Sequence, residues 1–131
     1  MGVLIDTSVW IPYLKGEKKA SLDIEMDRLI RSREAVMAGP VLAELLQGAL
    51  RSKDLTSLAL ALDGLAYEEM NRSMWIRAGQ INFELRRAGR MIPLSDAILA
   101  GIALEKDHSL YTFDSHFRRI KDLKIHRPLK A

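Results

Sequence analysis

The 131-residue chain contains no cysteine. That excludes a disulfide framework, thiolate zinc sites and a thiol nucleophile, and it suits a reducing compartment. No apolar run approaches the ~18 residues of a membrane span. The opening, MGVLIDTSVW, lacks the basic start and long apolar stretch of a leader peptide. A cytoplasmic protein is therefore expected. Neither charge sign is scarce: 20 Lys and Arg face 17 Asp and Glu, for a net charge of +3. Such a balance is compatible with a polyanionic partner but does not single one out. Only four prolines occur and 48% of residues are hydrophobic, which argues against disorder. There is no internal repeat, low-complexity segment or linker, so residues 1–131 are expected to form one domain. Also missing are GxGxxG after a strand, the P-loop pattern and HExxH, and His108, His116 and His126 have no metal-ligand spacing.

What is present is an alternation of short apolar runs and amphipathic segments. Val3-Leu4-Ile5 reads as a strand buried on both faces. Ala35–Ala38, Leu65–Glu68 and Ser109–Phe113 read as three more, and Leu123–Ile125 as a brief last strand. Helices are expected at Val9–Leu14, Ser21–Arg31, from Gly39-Pro40 through Ala49, at Ser52–Leu62, from a cap at Asn71 to about Ala88, and at Asp96–Lys106 with Ser95 as cap. A short helix is expected around Phe117–Ile120. Met74, Ala78, Ile81 and Leu85 form the buried stripe of the longest helix, which Gly89 stops. The pattern predicts an α/β domain with a central, mainly parallel sheet. In such sheets the reactive crevice lies at the carboxyl ends of the strands. Asp6 and Asp114 both stand there.

Four acids have unusually apolar surroundings: Asp6, Glu44, Asp96 and Asp114. Each has an ordinary structural use. Asp6 and Asp114 suit helix caps. Asp96 suits the first turn of a helix. Glu44 suits a wet stripe with Gln47 and Arg51. Brought together at one sheet edge, however, four carboxylates repel. A divalent cation offsets that repulsion; without one, at least one acid should titrate high. Oxygen-only ligation favours Mg²⁺ or Mn²⁺ over zinc, and such an ion polarises a phosphate and acidifies a water. Metal-assisted phosphodiester hydrolysis is the reaction class this points to.

The same four blocks resemble the PIN domain, and within it the VapC-type toxin ribonucleases of toxin–antitoxin pairs. They are Val3–Trp10 around Asp6, Val41–Gly48 around Glu44, Leu94–Ala100 around Asp96 and Leu110–Phe117 around Asp114, with the acids separated by 38, 52 and 18 residues. The resemblance implies a three-layer α/β/α sandwich and metal-dependent endoribonuclease activity with Mg²⁺, for which Mn²⁺ substitutes. It also implies a homodimer and an antitoxin that obstructs the acidic site. Carried over residue by residue, it makes Asp6, Glu44, Asp96 and Asp114 the acidic quartet. Asp6 and Asp96 are the first choices for direct metal contact. Glu44 either ligates or orients a water, and Asp114 completes the shell or positions the nucleophile. Thr7 or Ser8 supports the first acid, and Thr112 matches a further supporting hydroxyl. His116 departs from the pattern, since many members carry Asp there. An imidazole lowers the negative charge and favours one metal over two. The ring is expected to pack on the short helix, with a phosphate contact as the other use.

Lys15, Lys18 and Lys19 are the candidates for steering RNA. The arginines Arg72, Arg77, Arg86, Arg87 and Arg90 read as a solvated face. Trp10, Tyr13 and Trp75 read as core or interface anchors rather than base platforms. Two rival readings remain open: a catalytically silent interaction module that uses the acids as caps, and an RNA-processing nuclease without an antitoxin. An aspartyl phosphatase is disfavoured because Ser8 stands two residues after Asp6, where that chemistry needs a second Asp.

Overall fold

The computed structural model describes residues 1–17 and 19–129. Four strands, β1 (Val3–Ile5), β2 (Ala35–Ala38), β3 (Ala66–Glu68) and β4 (Ser109–Tyr111), form one sheet in the order β3-β2-β1-β4. All three pairings are parallel. Every residue of β1 and β2 is buried, as strands covered by helices on both faces require. β3, at one edge, is largely exposed.

Among the described residues, six helices surround the sheet in a three-layer α/β/α arrangement: α1 (Thr7–Leu14), α2 (Ala20–Arg31), α3 (Gly39–Gln47), α4 (Ser52–Leu62), α5 (Arg72–Arg87) and α6 (Leu94–Lys106). A 3-10 helix spans Ser115–Arg119. Leu4, Ile5, Met37, Met74, Ile102, Leu110 and Phe117 form the heart of the core. On α5, Met74, Ala78 and Ile81 are buried and Leu85 packs beside them. Asn71 caps this helix by accepting the Met74 N–H, and Gly89 ends it with φ +70°.

Three elements differ from expectation, the first being β4, which ends at Tyr111 rather than Phe113. Leu123–Ile125 is not a strand; it contributes a single bridge, Ile125 to Leu110. Ser95 does not cap α6. Pro93 stands at the N-cap, and its carbonyl accepts the Asp96 and Ala97 N–H groups.

α5 and α6 pack backbone to backbone at Gly101. A Cβ there would sit 2.9 Å from the Met74 carbonyl oxygen and 3.2 Å from the Ala78 nitrogen. Both neighbours are main-chain atoms, so neither can turn aside. Gly101→Ala is expected to cost about 1–3 kcal/mol. Urea denaturation reads this as a lower midpoint at unchanged slope; an unchanged midpoint would contradict the close contact.

Candidate metal centre

Strand order fixes where a crevice opens. From β1 the chain steps outward to β2 and β3, and later returns to β4 on the other side of β1. The order therefore reverses between β1 and β4, and ligands of such sheets bind outside the carboxyl ends of the strands at that point. Asp6 directly follows β1, and Thr112 to Asp114 directly follow β4.

Asp6 is only 7% exposed. It occupies the N-cap position of α1, yet its side chain makes no capping bond. Its Oδ2 accepts from the Ser8 hydroxyl at 2.7 Å and the Thr112 hydroxyl at 2.9 Å. A hydroxyl has one proton to give, so both are committed to Asp6. The hydroxyls in turn accept main-chain N–H groups: Phe113 donates to Ser8 Oγ and Asp114 to Thr112 Oγ1, each at 3.0 Å. The first acid is thereby fixed by two segments more than a hundred residues apart. Thr7 does something different: it donates to Glu44 Oε1 at 3.1 Å. The two hydroxyls after Asp6 thus serve two different acids. Glu44 uses neither Gln47 nor Arg51; Arg51 pairs with Asp54.

Asp96, in the first turn of α6, faces the turn that follows β4. Asp114 Oδ1 accepts the His116 N–H at 2.9 Å, so this acid does cap the 3-10 helix. That turn brings the His116 ring back over the crevice, with Nδ1 3.2 Å from Asp96 Oδ2 and 3.1 Å from Asp114 Oδ1. The ring therefore engages the acids rather than only packing on the short helix. One ligand atom from each of Asp96, Asp114 and His116 lies within 4.8 Å of the others. Burial pushes the Asp96 carboxyl above its ordinary pKa. The Asp114 and Asp6 charges push the same way, and the contact with His116 opposes them.

Glu44 lies farther out, exposed on α3, on the rim of a cavity it shares with Ile11, Leu14, Leu45 and Leu58. Lys15 lines the same cavity. Lys19 sits at the N-cap of α2, and Lys18 lies outside the described residues. Trp10 is buried, whereas Trp75 is exposed on α5.

This donor set suits a divalent cation. It is carboxylate-rich and partly desolvated, and burial first, then the neighbouring charges, raises Asp96. Asp96 and Asp114 would hold the ion, with Asp6 and Glu44 directly or through water. Hydrogen bonds that orient a ligating carboxylate typically govern metal affinity by 10–100-fold. Thr112→Val, which deletes a donor to Asp6 and an acceptor for Asp114 N–H, is accordingly expected to weaken Mn²⁺ binding by about 10–100-fold with the fold retained. Calorimetry beside circular dichroism checks it; parent-like affinity would remove Thr112 from the support of Asp6.

The chain is similar to known proteins along most of its length. The VapC ribonuclease Mb1587 of Mycobacterium bovis is 29% identical over 119 residues, covering 88% of each chain. Ribonuclease VapC11 of Mycobacterium tuberculosis matches to the same extent. Among solved structures, VapBC-1 of nontypeable Haemophilus influenzae is 25% identical, with a TM-score of 0.80 over 99% of this chain and 100% of that one. VapBC2 of Rickettsia felis, bound to a DNA fragment from its promoter, has a TM-score of 0.83 at 21% identity, covering 96% of this chain and 98% of that one. The PIN domain profile matches residues 3–123. With an all-parallel sheet and acids gathered at its switch point, the chain belongs to the PIN domain family.

Proposed function

We propose that this chain is a metal-dependent endoribonuclease and the toxin of a toxin–antitoxin pair, folded as one domain over residues 1–131. The carrying observation is the gathering of Asp6, Asp96 and Asp114 from three distant segments at one strand-end crevice. Similarity to proteins named as ribonucleases and to VapBC complexes supports the RNA substrate and the antitoxin.

The cofactor is Mg²⁺ or Mn²⁺; when bound, it polarises the phosphate and acidifies the attacking water. The chain's own residues prepare the site. Ser8 and Thr112 fix the Asp6 carboxylate, and Thr7 fixes Glu44. Asp114 holds the turn that carries His116. Lys15 and Lys19 attract the RNA backbone. One water is consumed per bond: its oxygen bonds to phosphorus, it releases one proton, one P–O ester bond breaks, and the leaving oxygen takes up a proton.

The cavity of about 400 Å³ beside Glu44, walled by Ile11, Leu14, Leu45 and Leu58, is suited to an apolar segment of the antitoxin. A partner there would cover the approach to the acids. Trp75, Ile76 and Phe83 of α5, with Met91 and Leu94, are exposed large hydrophobic groups. These exposed groups support a homodimer. Among the described residues no helix is long and apolar enough to cross a membrane, and the protein is proposed to act in the cytoplasm.

The test uses purified, antitoxin-free protein with single-stranded and hairpin RNA. Cleavage is expected with Mg²⁺, is stopped by EDTA and is lost in Asp6→Asn. Cleavage that survives both EDTA and the substitution would overturn the reading.

A further inference from the structure

We infer that His116 Nδ1 is a ligand of the cation, and that this nitrogen makes the site select Mn²⁺ over Mg²⁺. The inference rests on the metal-dependent reading above and deepens it. It starts from the placement of the ring. His116 Nδ1 stands 3.2 Å from an Asp96 oxygen and 3.1 Å from an Asp114 oxygen. Neighbouring ligands of an octahedral ion with bonds of about 2.1 Å lie about 3 Å apart. The nitrogen is therefore already spaced from each of the two oxygens as an adjacent member of one coordination shell, and all three atoms lie within 4.8 Å of one another.

The placement is built in. The main chain of His116 donates to Asp114, and the next residue, Phe117, is fully buried. Together they fix the turn that carries the ring. The ring itself is 38% exposed, so a small rotation to meet an ion disturbs no core packing.

The consequence for selectivity follows from ligand chemistry. Mg²⁺ demands oxygen ligands and gives up its waters reluctantly. Mn²⁺ stands with the first-row transition metals, whose binding gains from an imidazole nitrogen. Replacing one oxygen donor by nitrogen shifts the balance toward Mn²⁺.

A rival role for His116 is that of a counter-charge that braces Asp96 and Asp114 and must leave when a cation arrives. The two roles have opposite signatures. If the imidazole ligates, His116→Asn weakens Mn²⁺ binding by about tenfold or more and changes Mg²⁺ binding much less. If it only braces, the same substitution removes a competitor, and both ions bind more tightly together.

The experiment is calorimetric titration of Mn²⁺ and Mg²⁺ separately into the full chain, its His116→Asn variant and its His116→Asp variant. Pulsed electron paramagnetic resonance of the Mn²⁺-loaded proteins accompanies it. The expected result is a Mn²⁺ preference in the parent that shrinks by about tenfold in His116→Asp, and a ¹⁴N modulation of the Mn²⁺ signal that both variants lose. Absence of the modulation in the Mn²⁺-loaded parent, or equal shifts of both ions, overturns the inference and leaves the metal reading intact. Failure of the parent to bind either ion overturns the metal reading itself.

Discussion

Asp96→Asn is expected to lower kcat/KM for RNA cleavage by about 10³-fold and to raise the melting temperature of the metal-free protein. The two effects have one cause. Asp96 is largely buried beside Asp114 and Asp6, and burial, more than either charge, raises its carboxyl above the ordinary pKa. A raised carboxyl means that the ionised form is disfavoured in the fold relative to the unfolded chain. At neutral pH the charge therefore works against folding. The penalty disappears as pH falls through the raised value, where the folded protein holds the proton. Asparagine keeps the shape and removes the charge. Its stabilising effect should be clear at neutral pH and fade in acid. Mn²⁺ should reverse the order by stabilising the parent through binding while leaving the variant unmoved. Thermal melts across pH, with and without Mn²⁺, beside RNA cleavage assays, check both halves. A variant that is less stable than the metal-free parent at neutral pH, or that cleaves like it, would contradict this electrostatic account of the site.

Arg28→Ala is expected to cost about 3 kcal/mol of stability. Glu25 is 3% exposed on α2. Arg28 grips it with two bonds, Nε to Oε1 at 2.7 Å and Nη2 to Oε2 at 3.0 Å. His126 Nε2 stands 2.6 Å from Oε2, and its ring lies against Tyr111 with centroids 5.1 Å apart. The substitution leaves a buried carboxylate with His126 alone. The Arg28 hydrogen bond is the main cause that holds Glu25 below its ordinary pKa, against the opposing effect of burial. A lowered carboxyl contributes stability above its unfolded value and loses it as pH falls through the lowered one. The parent should thus weaken in acid, and Arg28→Ala should flatten that limb. Urea denaturation at neutral and acid pH checks it. By contrast, the exposed Arg51–Asp54 pair contributes little. Parent-like stability of Arg28→Ala would show that Glu25 re-solvates without cost.

The helices and buried strands were legible because their signals are local. Val3-Leu4-Ile5 is bounded by Asp-Thr-Ser, and Ala35–Ala38 by Gly-Pro, so β1 and β2 appear where the pattern puts them. β4 stops at Tyr111 instead of Phe113 for a reason that is not local. The Phe113 N–H group bonds to the Ser8 hydroxyl, from the segment that follows β1, instead of a neighbouring strand. The expected last strand shrinks to one bridge because only Ile125 meets Leu110. Among the polar residues, the position of Asp6 at a strand end was readable, but its hydroxyl donors were only half so. Either Thr7 or Ser8 fitted, and only the fold divides them between Glu44 and Asp6. The place of His116 depends on a 3-10 turn that folds it back toward α6, which nothing in Ser-His-Phe announces. The Glu25–His126 contact spans 101 residues and left no mark in the pattern.

The claim on which the account depends is that acids from separate segments converge on one divalent cation. Calorimetric titration of Mn²⁺ into purified, antitoxin-free protein, beside an Asp6→Asn/Asp96→Asn double variant, tests it most directly. The account expects saturable binding by the parent that the double variant loses while keeping its fold. Equal binding by both proteins, or none by either at millimolar metal, would contradict it and make the acids structural caps and pairs.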